Sequence, residues 1–219
     1  MFAKYTLSEI NIAEGQEITL QEDLSRSFVI AMGGIMLRQL SGDLVYIRDI
    51  VGSGWSKDES ILWMGCVCPG GNGWAIADTG GTIPTSSYGY VGDQIGVVIG
   101  TDATPVTPGD HGLESQIRHG VSSGKVIHFS TLVSDLDFIP SRSSTVVGGS
   151  VEWKIERIYQ NISGSDIVIN ELGLYVKALG SLSGSNYMPY CVIRDIVTPA
   201  VTFANGTYLK ATYTVSIIT

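Results

Sequence analysis

The chain has 219 residues, a formal net charge of −8 at pH 7, only 16% charged residues, and 27 glycines. A chain of this length can bury a sizeable core without help from disulfides or metal. The acidic balance argues against nucleic acid or an anionic membrane as the main partner. Globular domains carry about a quarter charged residues, so the shortage predicts either a surface covered by partner chains or a surface rich in Ser and Thr.

The cysteine count and the N-terminal residues bear on where the chain is made. Three cysteines are too few for a disulfide framework, and no apolar segment of the secretory type follows the first four residues. The longest apolar run, residues 28–37, is interrupted by two glycines and is too short to span a bilayer. We therefore expect synthesis in a reducing cytoplasm.

Residues 1–42 are predicted to form an N-terminal arm and one amphipathic helix. The first 19 residues are mixed in character and fit either an arm or an edge strand. From Leu20 to Leu40 apolar residues recur at three- and four-residue steps, a spacing typical of a helix with one apolar face. We expect this segment to dock on neighbouring chains through Leu24, Phe28 and Ile35.

Residues 43–219 read as a β domain in which short strands are separated by turns rich in Gly, Pro and Asn. Val151 to Glu156 alternates apolar and charged residues. Asn205-Gly206 is a strong hairpin signal, because both turn positions need positive φ. The segment from Leu209 to Ile217 then alternates with its odd-numbered residues inward. These patterns predict a mainly β fold, an antiparallel β-sandwich or jelly-roll with one N-terminal α-helix.

Three long loops are the predicted contact surfaces of this domain: Cys68 to Trp74, Thr79 to Gly92, and Thr101 to Gly112. Loops of this length in compact domains tend to be functional or to lie against a partner. Their aromatic residues, of types favoured at interfaces, are Trp74, Tyr88 and Tyr90. Residues 113–118, which follow the third loop, are predicted to form a helical turn.

No motif for catalysis is complete. The segment from Gly180 to Gly184 has Leu182 where a nucleophile elbow needs Ser, and the glycine-rich segment from Gly120 to Lys125 is one residue short of a phosphate-binding loop. The histidines and the Cys66-x-Cys68 pair lack the partners that a triad or a zinc site would need. We therefore expect no catalytic residue, no cofactor and no metal.

Two charged residues lie in apolar strand segments, where an unpaired ion would be costly. Glu171 precedes Leu172 to Tyr175, and Arg194 lies between Ile193 and Asp195. One hypothesis is that Arg194 forms a buried ion pair with Glu171, or binds backbone carbonyls, and so fixes the strand register. The alternative is a β-bulge near Asn170 that turns the Glu171 carboxylate to water.

Three segments within about the last 120 residues resemble a group of tailed-bacteriophage virion proteins. They are Ile99 to Asp102 leading to Leu113-Glu114-Ser115-Gln116-Ile117, then Asn161 to Tyr175, and Arg194 through Asn205-Gly206 to Val215. The resemblance implies a non-enzymatic component of the capsid exterior, neck or tail, assembled in the host cytoplasm. It implies other copies of the chain, in a trimer or larger ring, and capsid, neck or tail proteins as partners, with no nucleic acid and no membrane. That group has no catalytic residues to carry over.

Two other functions are weaker alternatives. A receptor- or glycan-binding adhesin, or a fibre-tip module, would be favoured by exposed Trp74, Tyr88 and Tyr90 beside Asp or Asn, because sugars stack on aromatic rings and hydrogen-bond to carboxylates. An enzyme would need a concave pocket with converging His and acidic groups, which the sequence does not indicate. A structural assembly protein is the leading interpretation.

Overall fold

The computed structural model describes residues 2–25, 45–48, 54–57, 61–63, 73–75, 96–129, 141–147, 150–179 and 187–218. Within these ranges all regular structure is β-strand, so the prediction of a mainly β fold is confirmed. The strands are β1 (Phe2–Asn11), β2 (Gln16–Ser25), β3 (Val45–Arg48), β4 (Gly54–Lys57), β5 (Ile61–Trp63), β6 (Gly73–Ala75), β7 (Gly96–Gly100), β8 (Ile127–Phe129), β9 (Ser141–Val147), β10 (Ser150–Gln160), β11 (Ile167–Leu179), β12 (Tyr187–Phe203) and β13 (Tyr208–Ile218).

Sheet A contains the N-terminal and C-terminal strands. Its order is β2-β1-β13-β10-β8, and β9 also pairs with β10, all antiparallel. Because β1 lies between β2 and β13, residues 2–25 are part of the sheet and do not form a separate arm. In β13 the inward phase is as predicted, since Leu209, Ala211, Tyr213 and Val215 are all buried.

Sheet B has the order β12-β11-β6-β5, and β7 also pairs with β11. Its pairs are antiparallel except for β5 with β6, which is parallel. Strands β3 and β4 form a separate two-stranded sheet. The Asn205-Gly206 turn joins β12 of sheet B to β13 of sheet A, so the predicted hairpin is wrong: the turn forms, with Gly206 at φ +87°, but the strands on either side enter different sheets.

One hydrophobic cluster takes buried side chains from both sheets, including Leu7 and Tyr213 from sheet A and Leu174 and Phe203 from sheet B. Tyrosine hydroxyl groups also join the sheets. Tyr159 Oη donates to the Val97 carbonyl at 2.7 Å, and Tyr213 Oη donates to Asp195 Oδ2 at 2.9 Å. Buried tyrosines combine a large apolar area with a polar end that needs a partner, so these contacts fix the position of one sheet on the other.

The predicted N-terminal helix is wrong for its first residues, because Leu20 to Ser25 lie in β2. The apolar residues that suggested one helical face are exposed on this strand: Leu20 by 39% and Leu24 by 49%. Pairing with β1 along the strand replaces the internal hydrogen bonds of a helix. Residues 26–40, with Phe28 and Ile35, and the domain boundary at residue 42 lie outside the described residues. Within the described ranges, no helix has the length and apolar character needed to cross a membrane.

Candidate functional site: a loop anchored on a buried ionic cluster

The loop that follows β7 leaves the strand at Thr101 and returns to it at residues 115–117. Thr101 N donates to the Ser115 carbonyl at 3.0 Å, and Ile117 N donates to the Ile99 carbonyl at 2.9 Å. Residues 116 and 117 therefore run beside the end of β7, with a bridge between Gly100 and Gln116. The predicted helical turn over residues 113–118 is wrong, because these backbone groups pair with β7 and not with each other. We call residues 101–117 the anchored loop.

Arg194, on β12, binds the anchored loop to sheet B. Its side chain is fully buried, and it donates three hydrogen bonds, two to carboxylates and one to a backbone carbonyl. Nε donates to Glu171 Oε2 at 3.0 Å, Nη1 to Asp110 Oδ2 at 2.7 Å, and Nη2 to the Thr104 carbonyl at 3.1 Å. Arg194 thus contacts both Glu171 and a backbone carbonyl, the two kinds of partner that the sequence left open.

Glu171, on β11, lies beneath the same loop. Its carboxylate is fully buried and accepts hydrogen bonds from Ser115 N at 2.8 Å and Glu114 N at 3.2 Å, in addition to Arg194. The strand register does shift between Ile169 and Glu171, as one alternative from the sequence required. The loop covers this face of the sheet, so the carboxylate meets backbone N–H groups there and not water.

An apolar contact seats the loop beside the charges. Leu113 packs against Val98, Tyr175 and Cys191, and its N–H donates to Tyr175 Oη at 2.6 Å. A Cβ atom at Gly173 would lie only 2.3 Å from Leu113 Cδ1. Glycine at that position therefore leaves the space that Leu113 fills.

Gly100 has a similar role beneath the ionic contacts. A Cβ atom there would lie 2.4 Å from Glu171 Oε1 and 2.8 Å from the Ser115 carbonyl oxygen. Both atoms take part in holding the loop, and one of them is backbone. The close approach of the loop to sheet B thus depends on a residue without a side chain at the end of β7.

Burial and neighbouring charges shift the pKa of Asp110, Cys191 and Tyr175 at the cluster. Burial raises the pKa of the Asp110 carboxyl, but hydrogen bonds from Thr107 and the nearby Arg194 outweigh burial, and the pKa lies below its usual value. Burial raises the pKa of the Cys191 thiol and, together with Cys191, that of Tyr175. At neutral pH Asp110 is therefore charged, while the thiol and the phenol keep their protons and are poor nucleophiles.

The other predicted site residues are placed as follows. Leu24 is exposed on β2, and Trp74 lies in β6, where only the backbone is described. Phe28, Ile35, Tyr88 and Tyr90 lie outside the described residues, as do Cys66 and Cys68. Among the residues that the structure describes, no group of three or more His, Cys, Asp or Glu side chains could hold a metal ion.

A second polar surface lies on the outer face of sheet A, the face turned away from the core. It forms an open concavity of about 410 Å³, lined by Lys4, Thr6, Glu17, Glu22, Lys154, Glu156, Lys210, Thr212, Thr214 and Ser216. Lys4 pairs with Glu22 at 3.1 Å, and Lys210 pairs with Glu17. Thr214 and Ser216 point to this face as predicted but are only 8% and 1% exposed.

Comparisons with known proteins give no match, so the role of the anchored loop is argued from its geometry. No family model, no curated protein and no solved structure matches the chain. The three segments on which the sequence-based interpretation rested contribute residues to the loop and its anchor. The first segment, residues 99–102 and 113–117, supplies the end of β7 and both ends of the loop, but not Thr104 or Asp110. Residues 161–175 contribute Glu171, Gly173 and Tyr175, and the third segment begins with Arg194. Sequence reasoning paired Glu171 with Arg194 but missed Asp110, Leu113 and Tyr175.

Proposed function

We propose that the protein is a non-enzymatic structural component of a tailed-phage particle, located on the capsid exterior, neck or tail. Its fold in this proposal is an antiparallel β-sandwich or jelly-roll that docks on other virion proteins and on copies of itself, in a trimer or larger ring, after assembly in the host cytoplasm. The observation that carries the proposal is the anchored loop, whose charged groups are used to hold backbone in place.

The exposed part of the anchored loop is suited to contact with another protein. Its exposed residues are small or proline and, apart from Glu114, carry no charge: Thr101, Ala103, Thr104, Pro105, Thr107, Pro108 and Gly109, with Ser115 beyond them. Arg194 contacts the loop at two separate points, Thr104 and Asp110. A loop fixed in this way loses little conformational entropy when it binds, and such preorganisation favours association.

The proposal is tested by locating the protein in particles. Immunogold labelling or a particle map should place several copies on the capsid exterior, neck or tail, and sedimentation equilibrium of the purified chain should show a trimer or a larger species. Replacing exposed loop residues that no side-chain contact holds, for example by Ala103→Lys with Gly109→Lys, should reduce incorporation while leaving the unfolding midpoint unchanged. Particles without the protein, together with a chain that stays monomeric, would reject the proposal.

Glycan binding is the second candidate, and the outer-face concavity of sheet A favours it. Hydroxyl, carboxylate and ammonium groups line this surface, and such groups hydrogen-bond to sugars. It ranks second because the lining residues include no aromatic ring on which a sugar could stack. A glycan array would decide: binding that is lost in Glu156→Gln but kept in Glu114→Gln, on the anchored loop, would support an adhesin over an assembly component.

A further inference from the structure

The free edge of sheet A is a second interaction surface, apart from the anchored loop. β2 ends the strand order of the sheet, and no described strand pairs with its outer side. From Gln16 to Leu24 every residue is exposed except Gln21, which is half-buried. Ile18 is 55% exposed and Leu24 is 49% exposed. Among the residues that the structure describes, a long strand with exposed apolar side chains therefore forms this edge.

This edge has only part of the usual protection against strand addition. Natural edge strands are commonly short, or carry charged side chains (especially Lys), Pro or a bulge. β2 has ten residues and contains neither Lys nor Pro. A register shift opposite Leu7 and Ser8 leaves Leu20 without a partner on β1, but pairing continues on both sides of it. An exposed edge of this kind is a template to which an extended segment can add as a new strand.

The charges on β2 indicate what kind of segment would add. The strand carries Glu17, Glu22 and Asp23 and no basic residue, and Glu14 lies in the turn that precedes it. Glu17 and Glu22 pair with Lys210 and Lys4 of sheet A, but their side chains stay 43% and 49% exposed and can meet a further cation. Pairing with β2 of a second copy would bring one acidic strand against another, and like charges opposite each other destabilise a sheet. A strand that bears basic residues would meet complementary charge along the same edge.

We infer that β2 accepts an extended segment of a neighbouring protein, in which Lys or Arg alternates with apolar residues, as an additional strand of sheet A. The inference rests on the proposed function, because it names the surface by which a particle component meets its neighbour. At about 3.3 Å per residue, the stretch from Glu17 to Asp23 is roughly 23 Å long. The segment that fits it therefore has about six to eight residues.

The test uses the full chain and a synthetic peptide of eight residues that alternates Lys and Val, with both ends blocked. Titration calorimetry should detect binding, and amide hydrogen exchange should slow in residues 16–24. A peptide alternating Glu and Val should not bind. Ile18→Lys should weaken binding roughly fivefold or more, through lost apolar contact and added like charge. Val168→Lys, the same kind of change at a residue that is 47% exposed on sheet B, should bind as the unaltered chain does.

Equal binding of the two peptides, equal binding to Ile18→Lys, or protection away from β2 would overturn the inference. So would a dimer of the isolated chain that Ile18→Lys dissociates, because β2 would then pair with a second copy. Incorporation into particles separates this result from the proposed function. If Ile18→Lys enters particles normally, the edge inference fails and the function stands; if the unaltered protein is absent from particles, the function fails whatever the peptides do.

Discussion

The ion pair that lies beneath the anchored loop and the one within the β1–β2 hairpin, residues 2–25, have different surroundings. The side chains of Arg194 and Glu171 are fully buried, whereas those of Lys4 and Glu22 are 39% and 49% exposed. Removing one partner of a buried pair leaves a charge that water cannot reach. At an exposed pair, water replaces the missing partner. The same kind of contact therefore decides the conformation of the loop and hardly affects the hairpin, which its strand pairing holds.

The substitution with the largest expected effect is Arg194→Met, which leaves the Glu171 carboxylate buried without its cation. We expect the free energy of unfolding to fall by about 3–5 kcal/mol, the range for removing one partner of a buried pair. Urea denaturation followed by tryptophan fluorescence measures the loss. Amide exchange should also become faster at Ser115, whose N–H donates to Glu171.

Arg194→Lys is the control for charge alone. Lysine keeps the positive charge but cannot present donors to Glu171, Asp110 and Thr104 in the fixed geometry of a guanidinium. It should recover part of the lost stability but not the slow exchange at Ser115. If Arg194→Met costs less than about 1 kcal/mol, the value of an exposed pair, the cluster does not hold the loop and the contrast with the hairpin disappears.

Gly100→Ala tests the close approach of the loop without removing any charge. The added methyl would overlap Glu171 Oε1 and the Ser115 carbonyl, so the loop or the carboxylate must move. Overpacking of this kind costs about 1–3 kcal/mol, measured by urea denaturation. Gly109→Ala, in the same loop, is the matched control because nothing lies within 4 Å of its added Cβ. If the two variants were equally stable, the close approach of Glu171 and Ser115 to Gly100 would not contribute to stability.

His128 is the middle residue of β8, the strand that follows the loop region. We expect it to make the free energy of unfolding sensitive to acid. Its ring is buried against the rings of Tyr159 and His119, with centroids 5.0 and 5.6 Å away. Burial, and then electrostatic repulsion from the nearby Arg157, His119 and Arg118, hold the pKa of His128 well below its ordinary value of 6.5. Below that pH the unfolded chain takes up a proton that the folded chain does not.

We therefore expect stability from this group to be complete above about pH 6.5 and to fall by about 1.4 kcal/mol for each pH unit below it, until the folded pKa is reached. Urea denaturation at pH 7.5, 6.5 and 5.5 measures the slope. His128→Gln should flatten the slope, while His111→Gln should leave it in place because His128 is intact. A slope unchanged in His128→Gln would assign the acid sensitivity to other groups.

Local patterns in the sequence predicted much of the fold. The alternation in β13 placed Leu209, Ala211, Tyr213 and Val215 in the core, and the change of phase near Asn170 marked a real register shift. Both depend on the two-residue period of a strand, which a single sequence displays directly. The charged residues in apolar segments likewise brought Glu171 and Arg194 together as a hypothesis, since a buried ion requires a partner.

What the sequence missed depends on contacts between distant residues. Leu20 and Leu24 have helical spacing, but β1 pairs with that segment and makes it a strand. Asn205-Gly206 forms the predicted turn, yet nothing local shows that β12 and β13 belong to different sheets. Asp110 and Arg194 are 84 residues apart, and no period or motif links them. The anchor could therefore be found only in part before the fold was known.

The smallest change in stability is expected for a substitution in the hairpin. Lys4→Met removes the cation from an exposed pair with Glu22, and such pairs contribute about 0–1 kcal/mol. Urea denaturation at low and at high salt measures the change, which should shrink further at high salt because added ions screen exposed charges. Lys4 faces Thr214 on one side and Leu24 on the other, and its methylene groups cover the sheet there. Methionine keeps that cover, so a loss above about 2 kcal/mol would mean that the hairpin, like the loop, depends on its charges.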